Sequence, residues 1–213
     1  MKRIVTLTIA LILSGAYLSA REQYIYTQIS HDEGLTSTTN SIFKKEDGHL
    51  WIGSQNGLFR FNGTTLRHYK DPVFADKSVF YVGDDSVGDL WILTNDGMLR
   101  RKGSEEIFES IRTDQDNQPF FSMLCDKEGI WFGSTGKIYR FTYSSQELKV
   151  FCDLTEVSPE FRIKQILSPE EGHLMCCSHS GIILLDQATG KISGKAFASQ
   201  REVSAAMIDS KGQ

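Results

Sequence analysis

The chain has 213 residues, of which 40% are hydrophobic and 23% are charged, and its formal net charge is −4. This composition excludes a collagen-like or low-complexity chain and a disordered segment, because disorder requires low hydrophobicity together with high net charge. The modest negative charge and the scattered Lys and Arg residues also argue against a nucleic-acid-binding module, which needs a concentrated basic face.

Residues 1–20 have the pattern of a secretory signal peptide. Two basic residues precede an apolar run over residues 4–13, and the small residues that follow allow cleavage after Ala16 or Ala20. An uncleaved membrane anchor is the alternative, although the run is shorter than the roughly 20 residues that a spanning helix needs. The sequence therefore predicts export to the periplasm.

The chain after residue 20 repeats with a period of about forty residues. Four residues share one place in the repeat, within a hydrophobic run: Trp51, Trp91, Trp131 and Met175. A glycine precedes each run: Gly48, Gly88, Gly129 and Gly172. A fifth glycine, Gly212, continues the series near the end of the sequence. A fixed period of this length is the sequence signature of a repeat architecture.

Each unit contains short strand candidates separated by turn signals. The candidates in the first unit are 41–46, 49–54, 58–62 and 64–69. Asp47-Gly48 and Asn56-Gly57 mark two of the turns, because glycine accepts positive φ and Asp and Asn tolerate it. Four short strands in about forty residues are typical of a propeller blade. The sequence therefore predicts an all-β fold, a β-propeller of four-stranded antiparallel blades.

The repeat also divides the chain into segments. After the signal peptide these are an entry strand and loop at 21–40, blades at 41–77, 78–119, 120–162 and 163–202, and the start of a fifth blade at 203–213. Residues 24–29 precede the first blade where an outer strand is expected, so they are predicted to complete the last blade of a closed ring. On this interpretation the chain is an incomplete, truncated propeller.

The tryptophans and the cysteines each have two interpretations. The tryptophans could form an aromatic stripe for sugars, but their mid-strand positions beside Leu and Ile favour packing between neighbouring blades. Export would place the four cysteines, Cys125, Cys152, Cys176 and Cys177, in an oxidising compartment, where three disulfide connectivities are open. Small buried hydrophobic side chains are the alternative interpretation of these residues.

The first unit resembles a known family. From Ile29 it reads ISHDEGLTSTTNSIFKKEDGHLWIGSQNGLFRFNGTTLRHY, which is similar to the two-component regulator propeller repeat, with its DGL entry loop and its D..G.LWIGT..GL.R core. The third unit matches with its glycine shifted to Gly136, the second has Leu93 in place of a glycine, and the fourth lacks the tryptophan. The resemblance covers residues 24–213.

This resemblance implies the N-terminal periplasmic sensor region of a hybrid two-component histidine kinase. Such proteins carry seven-bladed propellers ahead of a transmembrane helix and a kinase, and their ligand is usually an oligosaccharide released from a polysaccharide. The implied partners are therefore an oligosaccharide, the remaining blades and C-terminal domains of the intact protein, and a second copy in a homodimer. The implied location is the periplasm, with the intact protein anchored in the inner membrane.

Motifs for catalysis, metal binding and phosphate binding are missing from the sequence. There is no Gly-x-Ser-x-Gly elbow and no His-Glu-x-x-His pair, and the Gly-Lys pairs at 136–137 and 190–191 lack the rest of a phosphate loop. The run His31-Asp32-Glu33 fits a solvated loop better than a metal site, since three consecutive side chains rarely converge on one ion. We therefore expect no catalytic residue, no metal and no cofactor in this chain.

A ligand site is expected on one face of the propeller. In a four-stranded meander, the loops that join strands two and three emerge on the same side as the connections between blades. The candidate ligand-binding residues on that side are Gln55, Asn56, Asn95, Asp96, Thr135 and His179. Amides and hydroxyls suit sugar recognition, but turns are built from the same residue types.

Two other functions remain open from the sequence alone. A secreted propeller enzyme resembling the streptogramin-inactivating lyases would need a convergent set of His and acidic residues with perturbed pKa values in the central funnel. A passive extracellular adhesion or scaffold propeller would need no such set.

Overall fold

A computed structural model of the protein describes residues 29, 34–111, 118–157, 160–178, 180–196, 203 and 206–208. The chain divides into two compact units, Met1–Leu35 and Thr36–Gln213, and every described strand belongs to the second unit. The predicted signal peptide and the run 31–33 lie outside the described residues, as does the predicted entry strand apart from Ile29, which has no regular secondary structure.

The described strands form four antiparallel sheets, and in each sheet four consecutive strands are neighbours. Sheet 1 consists of β1 (Thr39–Lys44), β2 (Leu50–Ser54), β3 (Gly57–Phe61) and β4 (Leu66–His68). Sheet 2 consists of β5 (Val79–Asp84), β6 (Leu90–Thr94), β7 (Gly97–Arg101) and β8 (Glu109–Ile111). A single 3₁₀ turn in the described part of the chain, Pro72–Phe74, lies in the connection between sheets 1 and 2.

The second pair of sheets repeats this arrangement. Sheet 3 consists of β9 (Phe120–Cys125), β10 (Gly129–Ser134), β11 (Lys137–Thr142) and β12 (Glu147–Asp153). Sheet 4 consists of β13 (Ile163–Leu167), β14 (His173–Ser178), β15 (Gly181–Asp186) and β16 (Ile192–Ala196). The prediction of an all-β fold with four-stranded antiparallel blades is confirmed, and closure into a ring stays a prediction.

Strand β1 begins and ends two residues earlier than the predicted strand 41–46. Thr39 already pairs with Ser54. At the other end Lys45 begins the turn, since its N–H donates to the His49 carbonyl at 2.9 Å and its own carbonyl accepts from the Gly48 N–H at 3.0 Å. The turn chemistry was therefore placed correctly, and the strand is shifted toward the N-terminus because its pairing with β2 extends that way.

The repeated glycines occupy two kinds of position. Gly48 has a φ of +86°, a conformation that other residues rarely adopt, so it closes the tight turn after β1. Gly129 lies instead inside β10. A Cβ at Gly129 would lie 1.9 Å from the Phe141 carbonyl oxygen, so a side chain there would collide with β11. In the third unit, Gly129 is therefore required for the close approach of β10 and β11 and not for a turn.

In sheets 1, 2 and 3, the side that carries the tryptophan packs against the next sheet. Trp51, Trp91 and Trp131 are 1%, 0% and 4% exposed, and each lies in a separate apolar cluster shared by two consecutive sheets. An arginine from the same sheet lies over the ring, as Arg140 does over Trp131 at 4.2 Å from the ring centroid. These rings are elements of the core and not an exposed surface for sugars.

In sheets 2, 3 and 4, the opposite side packs against the preceding sheet. Residues at one equivalent position of the first strand are buried by this packing. They are Val82, Met123 and Ile166 in sheets 2, 3 and 4, and they are 2%, 8% and 2% exposed. The same place in sheet 1 is Ile42, since each of these residues pairs with the residue that follows the repeat's Trp or Met. Ile42 is 66% exposed. No sheet precedes sheet 1 among the described residues.

Two of the tryptophans are also fixed by an aspartate at the first turn of their sheet. Asp85 accepts hydrogen bonds from two backbone N–H groups of its turn and from the Trp91 indole N–H at 2.9 Å. Asp126 does the same for Trp131, with the indole N–H at 2.8 Å. Lys45 takes this place in sheet 1, where the indole N–H of Trp51 has no acceptor among the described residues.

Asp126 is also held by a bidentate arginine. Arg140 donates to both carboxylate oxygens, at 2.8 and 2.7 Å. Burial alone raises the pKa of the Asp126 carboxyl, but the hydrogen bonds from Arg140, the turn and Trp131 together outweigh it and hold the pKa below its usual value. The charged form of Asp126 therefore stabilises the folded state.

The four cysteines are free thiols in the structure, at positions 125, 152, 176 and 177. Cys176 and Cys177 are buried, and Cys125 and Cys152 are half-buried. Burial raises the pKa of Cys125 to about 12, with nearby carboxylates adding to the effect. The thiols therefore have the environment of small apolar core side chains, and no disulfide connectivity is formed.

The burial pattern predicts that two isoleucines at the same repeat position differ sharply in importance. Ile166→Ala should lower the free energy of unfolding by about 2–5 kcal/mol, because it opens a cavity in a closed junction between sheets. Ile42→Ala should change it by no more than about 0.5 kcal/mol, as for other exposed positions. Urea unfolding of the full chain and both variants measures the difference. Equal effects would show that a covering surface buries Ile42 as deeply as Ile166.

The pKa of Asp126 predicts how the effect of Asp126→Asn varies with pH. A lowered pKa means that the carboxylate's contribution is complete at neutral pH and is lost as the pH falls from the unfolded-state value, near 4, toward the lower folded-state pKa. The stability gap between the wild-type protein and Asp126→Asn should therefore be largest at pH 7 and shrink toward pH 3. Urea unfolding at several pH values measures it, with the exposed neighbour Glu128→Gln as the control. A gap that stays constant would contradict this account.

Candidate ligand-binding face

At one end of every sheet, the start of the first strand lies next to the end of the second strand and the turn that follows it. Because first and second strands are antiparallel, the start of each first strand lies beside the end of the second. The paired residues are Thr39 with Ser54, Val79 with Thr94, Phe120 with Ser134 and Ile163 with Ser178. We call this end, with the turns between second and third strands, the turn face.

The turns themselves are fixed by a hydroxyl at the end of the second strand. Ser54 donates to the Gly57 carbonyl at 3.1 Å and accepts from the Asn56 N–H at 3.1 Å. Thr94 makes the equivalent bonds in sheet 2. Ser134 departs from this pattern and donates to the Pro119 carbonyl at 2.6 Å, so it ties sheet 3 to its incoming connection. These hydroxyl residues were not predicted from the sequence, although Ser or Thr recurs at this place in every unit.

The predicted site residues in sheet 1 lie exposed on the turn face. Asn56 donates from its side chain to Thr36 Oγ1 at 3.2 Å, and its carbonyl contacts His68 Nε2 at 2.9 Å. Gln55 uses its backbone to bond Thr38 and Ser78, while its side chain makes no hydrogen bond within the described chain. The Gln55 amide is therefore available to a ligand.

In the other sheets, the predicted residues are partly used by the fold. Asn95 accepts a hydrogen bond from the Ser78 N–H at 2.8 Å, and Asp96 forms an ion pair with Lys77. Thr135 pairs through its backbone with Arg162 of the next sheet. His179 lies outside the described residues. Asn95 and Asp96 thus share one turn, and Thr135 lies beside Arg162, which was not predicted as a site residue.

A second set of residues reaches the turn face through β-bulges. The pairing register shifts at the second residue of each first strand, in all four sheets: Asn40, Phe80, Phe121 and Lys164. A bulge leaves one residue unpaired and redirects its side chain. Asn40 donates to the Val79 carbonyl of the next sheet at 2.8 Å. Alternation in the sequence alone did not reveal these positions, because a bulge breaks the two-residue period.

Two of these bulge residues, Phe80 and Phe121, form a stack with Arg162, which directly precedes β13. The rings of Phe80 and Phe121 are half-buried, with centroids 5.1 Å apart and planes inclined by 34°. The guanidinium carbon of Arg162 lies 4.9 Å from the Phe121 centroid. We call Phe80, Phe121 and Arg162 the aromatic stack. It places two apolar rings and a cation next to the polar turns.

Two carboxylates of the turn face are paired with lysines. Asp96 is paired with Lys77, and Asp153 lies 3.6 Å from Lys137. Hydrogen bonds from Thr155 lower the pKa of Asp153. The Asp153 carboxyl, with its lowered pKa, therefore does not have the raised value that a general acid requires at neutral pH. Within the described residues, no group of three or more His, Cys, Asp or Glu side chains could hold a metal ion.

No helix in the described part of the chain is long and apolar enough to cross a membrane. No family model matches the sequence, and no curated protein matches it. Solved structures do match.

An extracellular domain from B. thetaiotaomicron, described as part of a hybrid two-component system, matches with a TM-score of 0.71 and 18% identity, over 89% of this chain and 29% of that one. A second such domain from the same organism matches with a TM-score of 0.65 and 19% identity, over 82% and 23% of the two chains.

An enzyme has a similar fold. The virginiamycin B lyase of Staphylococcus aureus matches with a TM-score of 0.61 and 16% identity, over 75% of this chain and 56% of that one. The present chain spans less than a third of the length of the two sensor-system chains. At these identities the likeness extends to the fold, which is the propeller-type fold found in extracellular domains of hybrid two-component systems.

Proposed function

We propose that this chain is a ligand-sensing propeller segment of a periplasmic two-component sensor, and that it detects a glycan-derived oligosaccharide. The observation that carries the proposal is the presence of exposed amides and the aromatic stack on the same turn face. Binding sites for small ligands combine apolar or aromatic surface with a few polar groups that fix orientation. The fold shared with extracellular domains of hybrid two-component systems supports the same function.

Signal transfer would then pass beyond this chain. Binding can shift a sensor only if the ligand has different affinities for its two states. The proposed partners are the remaining blades and C-terminal domains of an intact protein, a second copy in a homodimer, and a histidine kinase that regulates genes for polysaccharide use. The proposed location is the periplasm, reached through the predicted signal peptide at 1–20, with the intact protein anchored in the inner membrane.

The exposed amide of Gln55 offers a direct test of binding at the turn face. Gln55→Ala should weaken oligosaccharide binding by about 3–10-fold, the worth of one hydrogen bond, because its side chain has no partner within the described chain. Calorimetric titration of the full chain with maltohexaose, xylohexaose and pentagalacturonic acid measures the affinities. The matched control is Gln187→Ala, which lies in a turn at the opposite ends of the strands and should bind as the wild-type protein does.

Two results would contradict the proposed function. The first is the absence of binding to every one of these saccharides by the folded chain. The second is equal loss of affinity in Gln55→Ala and Gln187→Ala, which would place the ligand elsewhere. Chemical conversion of a bound probe would favour the lyase-like alternative.

A further inference from the structure

We propose that the aromatic stack is a subsite for an anionic sugar unit, one that carries a carboxylate or a sulfate group. The inference rests on the proposed function and narrows its ligand to acidic oligosaccharides.

The position of Arg162 is fixed at both ends of the residue. Its backbone pairs with Thr135, and the neighbouring Phe161 carbonyl accepts a hydrogen bond from the Gly136 N–H at 2.9 Å. Its guanidinium lies over the ring of Phe121. An arginine that is already stacked loses less conformational freedom when its planar N–H groups bind an anion. The guanidinium of Arg162 is therefore held in place for an anion that the described residues do not supply.

The charge of Arg162 is not neutralised by the described residues. Its exposed guanidinium has no ion pair and donates no hydrogen bond within them, whereas Lys77 and Lys137 on the same face are paired with carboxylates. The exposed carboxylates of Glu156 and Glu160 belong to the same connection between sheets, and neither forms an ion pair with it. The guanidinium fork matches the two oxygens of a carboxylate or sulfate.

The two phenylalanines supply the other half of the subsite. Phe80 lies beside Phe121 and carries no arginine over its ring among the described residues. Since Phe121 lies next to both Phe80 and Arg162, a pyranose ring that packs its apolar side across the two phenylalanines would bring a ring substituent toward the guanidinium. An anionic substituent then gains charge-assisted hydrogen bonds, whereas a neutral one leaves the cation without a partner.

A second stacked arginine in the chain shows the contrast. Arg67 lies over Tyr69 at 4.7 Å, close to the spacing of Arg162 over Phe121. However, Arg67, in the outer strand of sheet 1, also lies 3.5 Å from the carboxylate of Glu106, in the loop before the outer strand of sheet 2. The charge of Arg67 is paired with the Glu106 carboxylate, so Arg67 is the matched control for Arg162.

The test compares charged and neutral probes on the full chain. Calorimetric titrations use pentagalacturonic acid, its fully methyl-esterified form and maltohexaose, together with a chondroitin sulfate tetrasaccharide. We expect the two anionic probes to bind at least about tenfold more tightly than the neutral ones, since hydrogen bonds to charged groups are the stronger class. Arg162→Gln should weaken anionic binding by about tenfold or more, Arg162→Lys by less, and Arg67→Gln should have no effect.

The outcomes separate this inference from the proposed function. Preference for the anionic probes that disappears in Arg162→Gln supports both. Tight binding of the methyl ester or maltohexaose without such a preference, or anionic binding unchanged in Arg162→Gln, overturns the anionic subsite and leaves oligosaccharide sensing in place. Absence of binding to all four probes by a chain whose circular dichroism shows folded β-structure counts against both.

Discussion

Burial of both faces of each sheet by its neighbours is the constraint on which the structure depends. A four-stranded sheet of this repeat is apolar on both sides, so it cannot be stable alone and must be covered by other sheets. Trp91 and Trp131 fill one side, and residues such as Val82 and Ile166 fill the other. The exposed Ile42 marks the one described face for which no preceding sheet is present.

The same stacking creates the turn face. The first strands of consecutive sheets lie next to each other, so the side chains of their second residues are brought together. The bulges turn those residues out of the strand pairing, which frees Phe80 and Phe121 to meet each other and Arg162. The core positions are constrained by packing between sheets, whereas the four bulge positions carry three different residue types: Asn40, Phe80, Phe121 and Lys164. A repeat can therefore keep its fold while its ligand site changes.

Much of the fold could be predicted from the sequence, because its period and turn chemistry are local signals. The Asp-Gly and Asn-Gly pairs place the turns, and the tryptophan series indicates the strand that lies in the core. The site was harder to predict. The turn residues Asn95 and Asp96 were found by topology, but Phe80, Phe121 and Arg162 were missed, because a bulge breaks the alternation of a strand and a contact between sheets leaves no local pattern. The different place of Gly129 likewise depends on the close approach of β11.

The central claim is that an oligosaccharide binds the turn face over the aromatic stack. A crystal structure of the full chain with pentagalacturonic acid tests it most directly. The account predicts a sugar ring packed on Phe80 and Phe121, with a carboxylate bound to the guanidinium of Arg162. A sugar bound at the opposite ends of the strands, or packed on the tryptophans at a junction between sheets, would contradict it.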